Sequence, residues 1–391
     1  MRLHAAVGEA MSARPGVDVD DLVHQLIAGG DLVEPGLVVS TATQAVDRAM
    51  TQLAFDHADE LIDQALGLLE RVPAGAGRDG LELALQARRG TLAMTRLGLG
   101  APEAGAALER ALELALGLEP GPDVFAAVYR RYLWLLMAGD FAAVQRLADV
   151  VLAHAAAARG PEATDRFTLL GRLARGSVLW CLGDAEPAVH ELEQALQLAR
   201  GAGVGVLVMA FGDPAVRIRM FLCHALAEAG RRDEAIAVAD EMVHQAHLSG
   251  PADESDALAT RGMMYAAFEE PDKAHDDGVE GARLGRLAGA DLLEHFAALN
   301  ESWGDAIAGA THASDAVELA RSATEGYRAT GTRMHDPIVY TMLAEVEAAT
   351  GHPDRATKAA TAGLDALART GSRLWRGRLE RAAKAVPFPT S

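Results

Sequence analysis

A turn followed by a helix that carries an alanine in its first turn recurs along the 391 residues. Taking that alanine as a ruler gives Ala58, Ala104, Ala143, Ala188, Ala235, Ala274, Ala316 and Ala356, with spacings of 46, 39, 45, 47, 39, 42 and 40. Apolar residues follow at i+3, i+4 and i+7, the period of a helix that buries one face. A period of about 42 residues accommodates two amphipathic helices of about 15 residues each, at 1.5 Å rise per residue, plus their turns. One such pair cannot bury both apolar stripes, so it must stack on its neighbours. The repeat therefore predicts an all-α chain, a stack of about eight helix pairs.

Proline and glycine agree, since they fall at predicted helix ends rather than inside them. Asp213-Pro214 reads as a helix N-cap and first position, Pro102, Pro271 and Pro353 mark the start of second helices, and Gly160-Pro161 and Gly250-Pro251 separate pairs. No Ser/Gly-rich or strongly charged linker interrupts the pattern. The expected organisation is a helical lead-in over 1–34, one continuous solenoid over 35–372, and a capping helix with tail over 373–391. Residues 204–211, VGVLVMAF, also read as a short strand on their β-branched content.

The composition narrows the function. A formal net charge of -19 opposes the phosphate backbone, whose neutralisation by Lys and Arg supplies most non-specific affinity, so direct nucleic-acid binding is not expected. Lysine occurs only at Lys273, Lys358 and Lys384, which leaves few candidates for Schiff-base or phosphate-gripping chemistry. Cys181 and Cys223 lie in apolar helical patterns as buried small hydrophobes, and a reducing cytoplasm is the expected location. The N-terminus lacks a signal-peptide apolar run, and no window reaches the roughly 18 apolar residues of a membrane span.

Three constellations invite a chemical reading. Glu241, His244 and His247 recur at helical spacing, but the helix period puts Glu241 and His244 outward and His247 on the flank of a core stripe of Ala235, Ala239, Met242, Val243 and Ala246. Asp276-Asp277 and Glu294-His295 are adjacent pairs that diverge by about 100° on a helix. Gly201, Gly203 and Gly205 follow a helix and lack the third glycine of a dinucleotide loop, so they read as an inter-repeat turn. No catalytic machinery is identified, and no metal or cofactor is expected.

Residues 183–196 and 230–242 resemble the second helix of tetratricopeptide repeats, whose small first-turn residue lets paired helices approach closely. First-helix echoes are Gly176, Gly262 with Tyr265, and Trp303-Gly304, although the period exceeds the ordinary 34 residues. Segments 2–11 RLHAAVGEAM, 21–31 DLVHQLIAGGD, 45–66 AVDRAMTQLAFDHADELIDQAL and 211–214 FGDP resemble the helical sensor arm of large bacterial ATP-dependent (STAND) regulators, which often carry a LuxR-type DNA-binding domain. The phosphate-loop motif and a basic C-terminal helix-turn-helix of that family are absent from these residues. The resemblance implies a right-handed α-solenoid of tetratricopeptide-like pairs that senses or binds an effector.

By analogy with tetratricopeptide packing, the large apolar residues Phe125, Tyr132, Leu135, Leu170, Leu173, Trp180, Met220 and Met263 on the first helices are candidates for a concave groove. Such a groove accepts a peptide or protein partner or a small apolar effector. At this level the bland reading, that the eight are core, stays open. The basic cluster Arg373, Arg376, Arg378, Arg381 and Lys384 covers the last repeat or meets an acidic partner. An enzyme using the groove as a substrate pocket and an oligomerisation scaffold are the alternatives of different class.

Overall fold

A computed structural model of the chain describes residues 1–200, 214–309 and 313–384. Among the described residues all regular structure is helical. The tandem glycines at 201, 203 and 205, the 204–211 segment and the Asp213 cap lie outside them. In chain order the α-helices are α1 (Arg2–Ser12), α2 (Val19–Gly29), α3 (Pro35–Thr51), α4 (Phe55–Leu68), α5 (Ala76–Leu97), α6 (Gly105–Gly117) and α7 (Pro122–Met137). They continue as α8 (Phe141–Ala157), α9 (Pro161–Cys181), α10 (Ala185–Arg200), α11 (Pro214–Glu228), α12 (Arg232–Ser249) and α13 (Pro251–Ala267). The last are α14 (Pro271–Ala288), α15 (Asp291–Ile307), α16 (Ala313–Ala329), α17 (Asp336–Ala349), α18 (Pro353–Thr370) and α19 (Arg376–Ala383).

The chain divides into two compact units, one of residues 1–97 and 101–134, the other of 98–100 with everything from Leu135 on. Within the second unit consecutive helices pair, and the odd-numbered first helices also pack on one another, α9 on α11, then α13, α15, α17 and α19 in turn. In the first unit α3 packs on α4 and on α5, and α5 on α6. The first helices thus form a shared layer in each unit, as expected of a tetratricopeptide-like array.

Seven of the eight ruler alanines are buried, and they seat the second helix of each pair on the first. Ala143 is the exception: it is half-buried, and Val144 takes its place at the head of the α8 stripe Val144, Leu147, Ala148 and Val151. In the first unit one such seam joins Val39, Ala42 and Val46 of α3 to Ala58, Ile62 and Ala65 of α4 and to Leu85 and Leu92 of α5. Full burial of an Ile or Leu side chain is worth about 1.5–3 kcal/mol, so this seam outweighs helix propensity as the source of order.

The turns inside the pairs share one geometry. After α7, α9, α11 and α17 a glycine with φ near +80° donates to a carbonyl three residues back, and the next residue donates five back: Gly183 to Trp180 and Asp184 to Leu179, at 2.8 and 2.9 Å. This is the Schellman closure, which needs a left-handed residue after the helix. Leu53 (φ 60°) and Glu269 (φ 59°) adopt it without being glycine. Helix starts are capped by Asp18, Glu34 and Asp140, whose carboxylates accept backbone N–H groups of α2, α3 and α8.

Candidate functional site

All eight residues expected to line a groove are buried, with exposures from 0 to 8%. Phe125 and Tyr132 belong to the first unit; Leu135, Leu170, Leu173, Trp180, Met220 and Met263 belong to the second. Met220 packs against Met242, Ala246 and Ala257, in a seam shared by α11, α12 and α13. In this conformation the eight serve as core. For the six in the second unit the cause is that the layer of first helices carries its own filling.

That filling is aromatic and imidazole. Trp180 of α9 stacks on His224 of α11, with ring centres 5.0 Å apart and planes 17° off parallel, and tilts against Phe221 at 5.9 Å. His335, at the head of α17, stacks on Phe296 of α15 at 4.8 Å and meets Trp180 edge-on at 6.1 Å. The Tyr327 hydroxyl of α16 accepts the His335 backbone N–H at 3.1 Å. Burial pulls both imidazoles down to about 3, His224 with a further push from His335, so both are neutral at pH 7. Burial likewise pushes the Cys223 thiol up to about 12 and raises that of Cys181, which removes both as nucleophiles at neutral pH.

Much of the basic C-terminal cluster is used within the second unit. Ser372 Oγ donates to the Cys181 carbonyl at 2.7 Å, and Arg373 donates to the Leu182 carbonyl and pairs with Asp184. Arg378 forks onto the buried Glu345 carboxylate, donates to the Ala266 carbonyl at 2.9 Å, and lies over the Trp375 ring at 4.1 Å. Glu345 also accepts from the Trp303 indole at 2.7 Å. Arg373 and Arg378 therefore hold the C-terminal helix to earlier turns rather than waiting for an acidic partner.

An open polar pocket lies on the first helices of the first unit. Asp47, Met50 and Thr51 of α3, Ala84, Ala87, Arg88 and Thr91 of α5, and Asp123, Ala126 and Arg130 of α7 surround a cavity of about 280 Å³. Arg88 bonds through all three nitrogens: Nε and Nη2 both donate to Asp47 at 2.7 Å, and Nη1 donates to the Ala84 carbonyl at 3.0 Å. Arg130 is part-buried, and its Nε has no hydrogen-bond partner among the described residues. Burial first, and the Arg88 cation second, hold its pKa below the usual arginine value. Its neighbour Arg131 points elsewhere, donating to the Gly105 carbonyl at 3.0 Å and lying over Trp134. Two adjacent arginines in an apolar helix, facing alanines at 84, 87 and 126, are the sequence signal that could have marked this pocket.

The other expected constellations stay apart. Glu241, His244 and His247 are exposed, and His247 lies 2.9 Å from Glu254. Asp277 takes two hydrogen bonds from Arg261, while Glu294 pairs with Arg286. Among the described residues no group of three or more His, Cys, Asp or Glu is placed to hold a metal ion, and no helix is long and apolar enough to cross a membrane.

No family model matches the sequence, and no curated protein is detectably similar to it. Solved structures are similar in fold. A Rap protein complexed with competence and sporulation factor matches 90% of this chain and 98% of its own, at 10% identity and a TM-score of 0.52. The apo form of RapI covers 89% and 97% at TM-score 0.45, and aspartyl phosphate phosphatase F from Bacillus subtilis 80% and 79% at 0.41, both at 10% identity. The likeness to the first is one of fold, a tetratricopeptide-like helical repeat.

Proposed function

We propose that this chain is the recognition module of a bacterial signalling or transcriptional regulator and that it binds a peptide or protein partner on the first helices of its repeats. The observation that carries the reading is the polar pocket of the first unit, where three successive first helices leave a cavity lined by Arg88, Arg130, Asp47 and Asp123. Repeat arrays recognise partners on a layer contributed by several repeats at once, because neighbouring helices present side chains at a fixed spacing. The fold supports the same reading, since a Rap protein of similar architecture has been crystallised in complex with competence and sporulation factor. The apolar residues Phe125, Tyr132, Leu135, Leu170, Leu173, Trp180, Met220 and Met263 belong to the binding surface in this reading only if a partner opens the packed interior, because all eight are buried.

Native mass spectrometry of the chain purified from its own cells, followed by hydrogen exchange with and without the co-eluting species, tests it. The expected result is a retained peptide or protein that slows exchange in α3, α5 and α7. A bare chain whose exchange in those helices is unaltered by the cell's peptide and protein fractions sinks the reading.

A further inference from the structure

We propose that the pocket formed by α3, α5 and α7 binds a carboxylate through the Arg130 guanidinium, the carboxylate being supplied by a peptide; the second clause rests on the recognition reading above, and the first does not.

Three observations converge. Of the two pocket arginines, Arg130 makes no hydrogen bond or ion pair among the described residues, and its buried Nε faces no acceptor. A buried guanidinium N–H without an acceptor costs free energy, and a ligand that supplies one removes that cost. Arg88, beside it, is already neutralised by a two-pronged bond to Asp47, so it contributes a positive edge without competing for the ligand. The threonines contribute acceptors only, because Thr51 and Thr91 donate their hydroxyl protons to the Asp47 and Ala87 carbonyls.

The same walls choose among anions. Asp47 and Asp123 line the pocket, so a phosphate dianion meets two carboxylates across it, whereas a planar monoanion matched to the guanidinium fork adds the least repulsion. A cavity of about 280 Å³ sits at the small end of ligand pockets and admits one residue or a chain terminus. The carboxylate can be a peptide's C-terminus or an Asp or Glu side chain; the chemistry at Arg130 is the same.

The test has two arms on the full chain. In the first, arginine side chains are labelled with nitrogen-15, the Arg130 Nε–H signal is identified by its loss in Arg130→Gln, and N-acetylglycine, N-acetylglycinamide and inorganic phosphate are titrated separately. The expected result is a shift with N-acetylglycine and none with its amide. No shift with N-acetylglycine, or a shift with phosphate alone, overturns the proposal. In the second arm a random hexapeptide pool is selected on wild type, Arg130→Gln and Ala126→Leu, which fills the pocket while keeping the arginine. The expected result is enriched peptides bound roughly tenfold or more weakly by both variants. C-terminal amidation then abolishes binding if the terminus is the source, and omission of Asp and Glu abolishes it if a side chain is. Peptides held equally by wild type and both variants overturn the carboxylate site while leaving the recognition reading standing. An Arg130 response to N-acetylglycine with no peptide retained upholds the carboxylate site and sinks the peptide.

Discussion

His224 packs its ring flat against Trp180, and His335 packs against Phe296, so each imidazole is solvated mainly by aromatic carbon. Both are pulled down to about 3, against about 6.5 for an unfolded histidine. Below pH 6.5 the unfolded chain binds protons that the folded chain refuses, so the contribution is present above that pH and lost as pH falls toward 3. The slope is about 1.4 kcal/mol per pH unit for a fully buried histidine. His335 keeps some solvent contact, which assigns the larger share to His224. Urea midpoints between pH 6.5 and 4 should therefore fall less steeply in His224→Gln than in wild type; parallel curves would contradict this. Arg130 gives the opposite expectation, because a part-buried cation without a partner stabilises nothing: Arg130→Met should melt at or above the wild-type temperature. Neither residue was legible in the sequence. His224 looks like any histidine in an apolar helix until Trp180 of α9 is known to stack on it, and Arg130 differs from Arg131 only by about 100° of helix rotation, which decides between a cavity and the Gly105 carbonyl.

The elements themselves were the most legible part, and the reason is local chemistry. An alanine in the first turn of each second helix, a glycine in the turn before it and proline at the helix starts are all short-range requirements, and the structure uses them at Ala188, Gly183 and Pro353 as the pattern predicts. Ala143 departs because a valine one position on offers more apolar surface to the same seam. The two turns closed by Leu53 and Glu269 show what the pattern leaves unsaid, since geometry there is kept although the favoured residue is missing. A left-handed L-residue costs about 1–2 kcal/mol, partly offset by the extra chain entropy of glycine in the unfolded state. Glu269→Gly should accordingly raise stability by roughly 0.5–1 kcal/mol. Gly230→Ala, at a position with open space around it, should lower stability by about 1–2 kcal/mol for the same backbone reason. Thermal melts should move in opposite directions; a lower melt for Glu269→Gly or a higher one for Gly230→Ala would contradict the corresponding prediction. Gly278 and Gly285 on α14 have another role: a Cβ there would lie 2.3 and 2.7 Å from backbone nitrogens of α15, so they set how closely that pair approaches.

At the scale of the chain, the sequence predicts a lead-in over 1–34, a solenoid over 35–372 and a cap over 373–391, and the contacts gather into two units whose boundary falls at Trp134 and Leu135, inside α7. A boundary within an apolar helix leaves no compositional mark, because nothing there needs to be flexible or polar. Whether the eight apolar residues line a groove is likewise not legible, because large apolar side chains on first helices read alike whether the layer they form is open or filled; in the second unit Trp180 and Phe296 pack there with two imidazoles. The Glu345 and Arg378 pair, 4% and 10% exposed, was equally hidden, since its members lie on α17 and α19 and meet only in the folded unit, where Trp303 donates to the same carboxylate. Removing one partner leaves a buried charge alone, so Glu345→Gln should cost about 3–5 kcal/mol, and Glu345→Leu combined with Arg378→Met should restore most of it. Urea unfolding of the single and double variants measures this, and a double variant as unstable as the single one would place the stability elsewhere.

The hydrogen bond from Ser372 to the Cys181 carbonyl joins residues 191 positions apart. An array held only by neighbouring repeats can settle as it is made, each pair docking on the one before. The second unit cannot finish in that way, because α9 and the turn after it receive His335, Ser372 and Arg373 only after some 150 to 191 further residues have been made. At 5–20 residues per second, that interval is roughly 10–40 s on the ribosome. During it the side of Trp180 that His335 meets and the helix end around Cys181 stand uncovered, and the nascent chain presents to the cell an apolar face that the finished protein hides.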